Sequence, residues 1–214
     1  MRCDPDVHHR QSIRLKGYDY AWAGAYFVTV CVQGRESLLG EVVGGEMVRN
    51  KAGEMVRQTW LGLGERFPNL TIDEFVAMPN HCHGILFLTD RRGESCIRPN
   101  GSGKGRGESC IRPMDQNDRN IQDDHKLGDH KDRPYGTSPD SVGRIVQAFK
   151  SLTTVEYARG VAHNDWPPFN LRLWQRNYFE RIIRNDYELA RARKYIEDNP
   201  LQWHLDAENP ANIP

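Results

Sequence analysis

The run AYFVTVCV from Ala25 to Val32 is β-branched and aromatic, which predicts a central strand. Glu41 to Met47, interrupted by Gly44-Gly45, predicts a hairpin of two short strands. From Asn50 to about Phe67 the apolar positions Ala52, Met55, Val56, Trp60 and Leu63 follow helical spacing, so an amphipathic helix lying on a sheet is expected, with Pro68 ending it. Leu70 to Met78 and His83 to Leu88 read as two more strands, and Pro79-Asn80 as the turn between them.

The pattern lapses from Arg91 to about Asp140, a segment rich in Gly, Asp, Arg, Asn and Lys. Within it Gly93-Glu94-Ser95-Cys96-Ile97-Arg98-Pro99 recurs as Gly107-Glu108-Ser109-Cys110-Ile111-Arg112-Pro113. Two copies of a short polar unit cannot stack into a solenoid, so 91–140 is expected to be a disordered insertion in one domain spanning 1–214.

Periodicity returns at Ser141, where Val142, Ile145, Val146, Phe149 and Leu152 mark a second amphipathic helix. Leu171 to Trp174 and the residues after it predict a strand, straight or bent. The last helix is expected to start at Asn185, capped with the help of Glu188, and to stop at Asn199-Pro200. Strand, hairpin, helix, strand, strand, helix, strand and helix in that order predict an α+β sandwich, an antiparallel sheet with helices on one face.

Composition narrows this picture mainly by exclusion. Lys+Arg 29 balances Asp+Glu 29 over 214 residues, so net charge does not point to nucleic acid. No run approaches the roughly 18 apolar residues needed to cross a bilayer, and the first residues lack a signal-peptide core; the expected location is the cytoplasm. Five cysteines without a C-x-x-C pair argue against a disulfide framework or a four-cysteine zinc site. Cys82 is expected to point away from its histidine neighbours as a small core residue.

Candidate chemistry gathers at two places. His81 and His83 are one residue apart at the mouth of a strand, so the period of two turns both to one side, where they can share a metal ion. On the last helix Tyr195 and Asn199 are four apart and share a face: a hydroxyl nucleophile and a carbonyl oxygen suited to Mg²⁺ or Mn²⁺. A divalent ion so held can polarise a phosphodiester. Between Arg172 and Lys194 seven basic residues face three acidic ones, with Trp174, Tyr178 and Phe179 among them, a mixture suited to neutralising a backbone and stacking on unpaired bases. Tyr178 and Tyr187 are rival nucleophiles, but neither has a ligand-type residue four positions on.

These pieces together resemble the REP-associated tyrosine transposases, relatives of the single-tyrosine insertion-sequence transposases in the HUH endonuclease superfamily. The resemblance rests on Arg14-Leu15-Lys16-Gly17-Tyr18-Asp19-Tyr20, Met78-Pro79-Asn80-His81-Cys82-His83-Gly84-Ile85, Phe149-Lys150-Ser151, Leu173-Trp174-Gln175-Arg176-Asn177-Tyr178-Phe179-Glu180 with Ile183-Arg184, and Tyr195-Ile196-Glu197-Asp198-Asn199-Pro200. It covers nearly all of the chain except the insertion.

The resemblance implies a ferredoxin- or RRM-like sandwich of the HUH type, His81, His83 and Asn199 as ligands of Mg²⁺ or Mn²⁺, and Tyr195 as nucleophile. It implies cleavage and rejoining of single-stranded DNA at palindromic hairpin repeats through a 5′-phosphotyrosine link, by a monomer or a homodimer. Candidate DNA contacts are Arg14, Lys16, Lys150, Trp174, Arg176 and Arg184. Two departures from the family pattern are Cys82, where a bulkier apolar residue is usual, and the long insertion. Two other activities fit the same residues: a non-catalytic regulator that binds hairpin DNA, and a metal-dependent hydrolase using activated water.

Overall fold

The structure, a computed structural model, describes residues 20–89 and 140–212. Arg14, Lys16 and all of the expected insertion but its final residue lie outside the described residues.

Four strands form one antiparallel sheet: β1 (Gly24–Cys31), β4 (Leu70–Ala77), β5 (His81–Leu88) and β6 (Phe179–Ile183), in the order β4-β5-β1-β6. Strand β1 is paired along its whole length with β5, from Gly24↔Leu88 to Cys31↔His81. The hairpin of β2 (Gly40–Val43) and β3 (Glu46–Arg49) stands apart from this sheet. Among the described residues no helix is long and apolar enough to cross a membrane.

The pleat sorts side chains by parity. Tyr26, Val28 and Val30 of β1 with Cys82, Leu86 and Leu88 of β5 form the larger core, under Val56 and Trp60 of α1 (Lys51–Leu61) and Ile145 and Phe149 of α3 (Val142–His163). On the opposite face Ala25, Ile85, Phe87 and Ile183 pack against Leu189 and Ile196 of α4 (Asp186–Asp198). The α+β sandwich is therefore as expected in its sheet, but the helices do not share one face: α1 and α3 cover one side and α4 the other. Covered on both sides, β5 is buried at every position, which is why HCHGILFL shows no polar alternation. Gly84 lies directly beneath Trp60, and a Cβ there would stand 2.4 Å from Trp60 Cζ2.

Local chemistry fixes the ends of these elements. Asn50 caps α1 through Gly53 N at 2.8 Å, and Gly62 separates α1 from a four-residue helix α2 (Leu63–Arg66) where one helix was expected. Asn185 caps α4 through Glu188 N at 2.8 Å, while the Glu188 carboxylate accepts from Arg184 N at 3.1 Å, a capping box reaching one residue further back. Arg193 grips Asp73 of β4 with two bonds, 2.7 and 3.1 Å, and so fastens α4 to the sheet.

One strand expectation needs correction. Residues 171–178 are irregular, joined to the sheet region by the single bridge Val32↔Trp174, and the strand begins only at Phe179. Leu171 is 93% exposed at φ 61°, and Leu173 and Trp174 are buried side by side, so neither conformation nor alternation suits a ladder there.

Candidate active site

The pairing of β1 with β5 sets Thr29 opposite His83 and Cys31 opposite His81, so both imidazoles project from the face that α4 covers. Their Nε2 atoms are 2.9 Å apart. His83 Nδ1 lies 2.8 Å from Thr29 Oγ1, and His81 Nδ1 lies 2.9 Å from Asn80 Oδ1. Phe27 stacks on His83 at 5.3 Å between centroids, and Trp203 lies 5.9 Å from His81. Both histidines are buried.

Helix α4 brings Tyr195 to the same place. Its Oη is 3.5 Å from His83 Nε2, and its ring meets His83 and Phe27 edge-on at 5.2 and 5.8 Å. One turn on, Asn199 is buried, and its Nδ2 donates to Asp206 Oδ2 at 3.3 Å. Asn199 Oδ1 is buried with no hydrogen-bond partner. Asp206, just beyond a 3-10 turn at Trp203–Leu205, lies 3.7 Å from His81 Nε2, and ligand atoms of His81, His83 and Asp206 all lie within 4.8 Å of one another.

Two imidazole nitrogens and a carboxylate make a donor set that fits a divalent metal ion, and the buried, unpartnered Asn199 Oδ1 belongs to a residue bonded to that carboxylate. Asp206 is the member that sequence reading missed. It sits in an irregular segment where no period applies, and the only signal was a pair of acidic residues, Asp206 and Glu208, shortly after the Tyr-x₃-Asn pattern.

A cavity of about 580 Å³ opens beside these groups, lined among others by Phe27, Phe179, Arg181, Arg191, Tyr195 and Asp206. Arg181 and Arg191 are exposed basic side chains on its wall. The sequence placed them in the basic stretch without singling them out; the register of β6, which pairs Phe27 with Arg181, is what turns Arg181 to this face.

The candidate DNA contacts divide. Arg176 and Arg184 are exposed. Lys150 and Trp174 do not fit the role. Lys150 Nζ donates to the carbonyls of Gln175 at 2.9 Å and Asn177 at 3.0 Å and lies 5.3 Å over the Tyr178 ring, so its charge is engaged in holding the irregular segment. Trp174 is 4% exposed and donates its indole N–H to Thr153 Oγ1 at 2.7 Å, which leaves no ring face for a base. Of the rival tyrosines, Tyr178 lies beneath Lys150, and Tyr187 is exposed with Arg191 5.8 Å from its ring.

A protein of Haemophilus influenzae described only as uncharacterized is 34% identical over 203 residues, which cover 94% of this chain and 93% of that protein. This chain belongs to the same family. No family model matches it. Among solved structures, a REP-associated tyrosine transposase bound to a REP hairpin aligns with a TM-score of 0.48 at 18% identity, over 89% of this chain and 74% of that one.

Burial governs the electrostatics of the site in this family member. Desolvation, and then the neighbouring His81, hold His83 well below its ordinary value; desolvation also lowers His81, against the opposing pull of Asp206 and Glu208. Burial raises the Tyr195 phenol, and Asp206 and Glu208 add to that while Asn199 opposes it. Both imidazoles are thus kept neutral, the form that ligates a metal.

The unfolded chain takes up protons on these histidines near the ordinary 6.5 and the folded chain only at lower pH, so below that value the unfolded state binds more protons. Acidification from pH 7.5 to 5.5 is therefore expected to lower the urea midpoint of the metal-free protein. Each such histidine contributes up to about 1.4 kcal/mol per pH unit below 6.5. The drop should shrink in His83→Asn.

Proposed function

We propose that this protein is a metal-dependent tyrosine transesterase of the REP-associated transposase kind, which cleaves and rejoins single-stranded DNA at palindromic hairpins. The observation that carries this reading is the placement of the Tyr195 hydroxyl 3.5 Å from His83 Nε2, at the edge of a cluster with the ligand set of a divalent ion. The motif resemblance described above points the same way, and Arg191 and Arg181, the latter 3.8 Å from Glu188, set basic side chains on the cavity wall beside Glu188, Asp206 and Glu208.

In this reading His81, His83, Asp206 and Asn199 Oδ1 would hold Mg²⁺ or Mn²⁺. The ion, when bound, supplies Lewis-acid neutralisation of charge developing on the scissile phosphate. The remaining work belongs to the chain. Tyr195 Oη attacks phosphorus, the Tyr–O–P bond forms, the bond from phosphorus to the 3′-oxygen breaks, and the phenolic proton ends on the released 3′-hydroxyl. One phosphodiester replaces another, so a 3′-hydroxyl can reverse the step without a nucleotide cofactor. Phe27 and Thr29 keep the imidazole of His83 in place, and the Arg193–Asp73 fork keeps the helix bearing Tyr195 on the sheet.

The polarity of the adduct tests the proposal. A hairpin oligonucleotide labelled at its 3′ end should leave its label on the denatured protein after incubation with Mn²⁺, whereas a 5′ label should leave on a shortened free strand. Labels released from both ends with none on protein would indicate hydrolysis by water instead.

A further inference from the structure

Asn80 was legible in the sequence only as a turn residue after Pro79, yet it is fully buried and its side chain touches three separate parts of the chain. One terminal atom of its amide lies 3.0 Å from the Arg35 carbonyl oxygen and 2.7 Å from the Glu208 carbonyl oxygen. Both neighbours are acceptors without a proton, so the atom facing them has to be the amide nitrogen, whose two hydrogens they share. The other terminal atom is then the oxygen, an acceptor, and it lies 2.9 Å from His81 Nδ1.

An acceptor facing a ring nitrogen at that distance, out of reach of water, requires the nitrogen to carry the proton. His81 accordingly keeps its hydrogen on Nδ1 and its lone pair on Nε2. That lone pair is directed to the place where His83 Nε2 is 2.9 Å away and Asp206 Oδ2 3.7 Å away. The same amide fastens the segment that supplies Asp206: Glu208 is held through its carbonyl by Asn80, and Arg35 pairs with the Glu208 carboxylate at 2.8 Å.

We infer that Asn80 is a positioning residue that sets the tautomer of His81 and at the same time docks the 206–208 segment, so that ring lone pair and carboxylate converge on one point. The inference rests on the ligand role assigned to His81 and Asp206 above, but its test does not depend on DNA chemistry. Outer partners of this kind typically change metal affinity by about 10- to 100-fold when removed.

Nitrogen-15 NMR of the metal-free protein labelled at histidine, at neutral pH, reads the two nitrogens of His81 directly. The expected spectrum has a protonated Nδ1 and a lone-pair Nε2; the reverse assignment overturns the inference without any variant. In Asn80→Leu the amide oxygen is gone, and the Nδ1–H signature should be lost together with a 10- to 100-fold weaker Mn²⁺ affinity by calorimetry. Retention of both would overturn the role of Asn80. Asn80→Asp keeps an acceptor toward His81 but loses the donor to the Arg35 and Glu208 carbonyls, so the Nδ1–H signature should persist while Mn²⁺ affinity falls; loss of the signature in a folded Asn80→Asp protein counts against the inference. A wild-type protein with the expected tautomer and Mn²⁺ affinity but no tyrosine adduct would refute the transesterase reading and leave this one intact.

Discussion

Tyr195→Phe removes covalent adduct formation on hairpin DNA, by more than about 1,000-fold, while the fold and the ion site survive. The ring contacts with Phe27 and His83 belong to the carbons of the side chain, and phenylalanine keeps them. The residue is 44% exposed, so loss of one hydroxyl should change stability little. What disappears is the only atom the helix offers as nucleophile within 3.5 Å of His83 Nε2 among the described residues. Mn²⁺-induced thermal stabilisation should therefore match wild type. A variant with normal stabilisation and no adduct separates attack from ligation, and an adduct that persists would move the nucleophile elsewhere.

His81→Ala has the second large effect, on both binding and chemistry. It takes one nitrogen from the cluster of three ligating groups and leaves Asn80 Oδ1 facing an empty position. An ion present at about 100 times its dissociation constant stabilises a fold by about 2.7 kcal/mol, and that increment should vanish in the variant. Adduct formation should fall with it, by at least about 100-fold, because the charge on the attacked phosphate is then uncompensated. Asp206→Asn should weaken ion affinity more mildly, because the amide keeps one oxygen. If the thermal shift with Mn²⁺ survived His81→Ala, the ion would bind somewhere other than between the two imidazoles.

Both variants act where two long-separated pieces of sequence meet, and those pieces differ in how readable they were. The histidine pair was legible because a strand alternates every two residues, and the register with β1 puts Thr29 and Cys31 opposite it. Tyr195 and Asn199 were legible as neighbours because a helix repeats near four, and the cap at Asn185 announced where that helix starts. Neither period reaches the irregular segment after α4, so Asp206 and Glu208 carried no such signal.

Burial was the other blind spot. Asn80 has the composition of an exposed turn, but the Glu208 and Arg35 carbonyls close over it. Trp174 and Lys150 had the look of a nucleic-acid face, basic and aromatic together, yet Trp174 is in the larger core and Lys150 is occupied by carbonyls of the chain. Composition reports which side chains are present near one another in sequence; which of them face solvent was decided by the irregular course of 171–178 and by the β6 register. The helix α4 was read on the same side as α1 and α3 because amphipathic spacing gives each helix one apolar face without saying which face of the sheet it meets.

The oxygen atom that attacks the phosphate can be identified directly. The protein incubated with Mn²⁺ and a hairpin oligonucleotide is digested with protease and nuclease, and the peptide that retains a nucleotide is located by mass spectrometry. The expected result is a phosphonucleotide on Tyr195, in the peptide that also carries Ile196 and Glu197. A phosphonucleotide on Tyr178 or Tyr187, or cleaved DNA with no modified tyrosine, would contradict it.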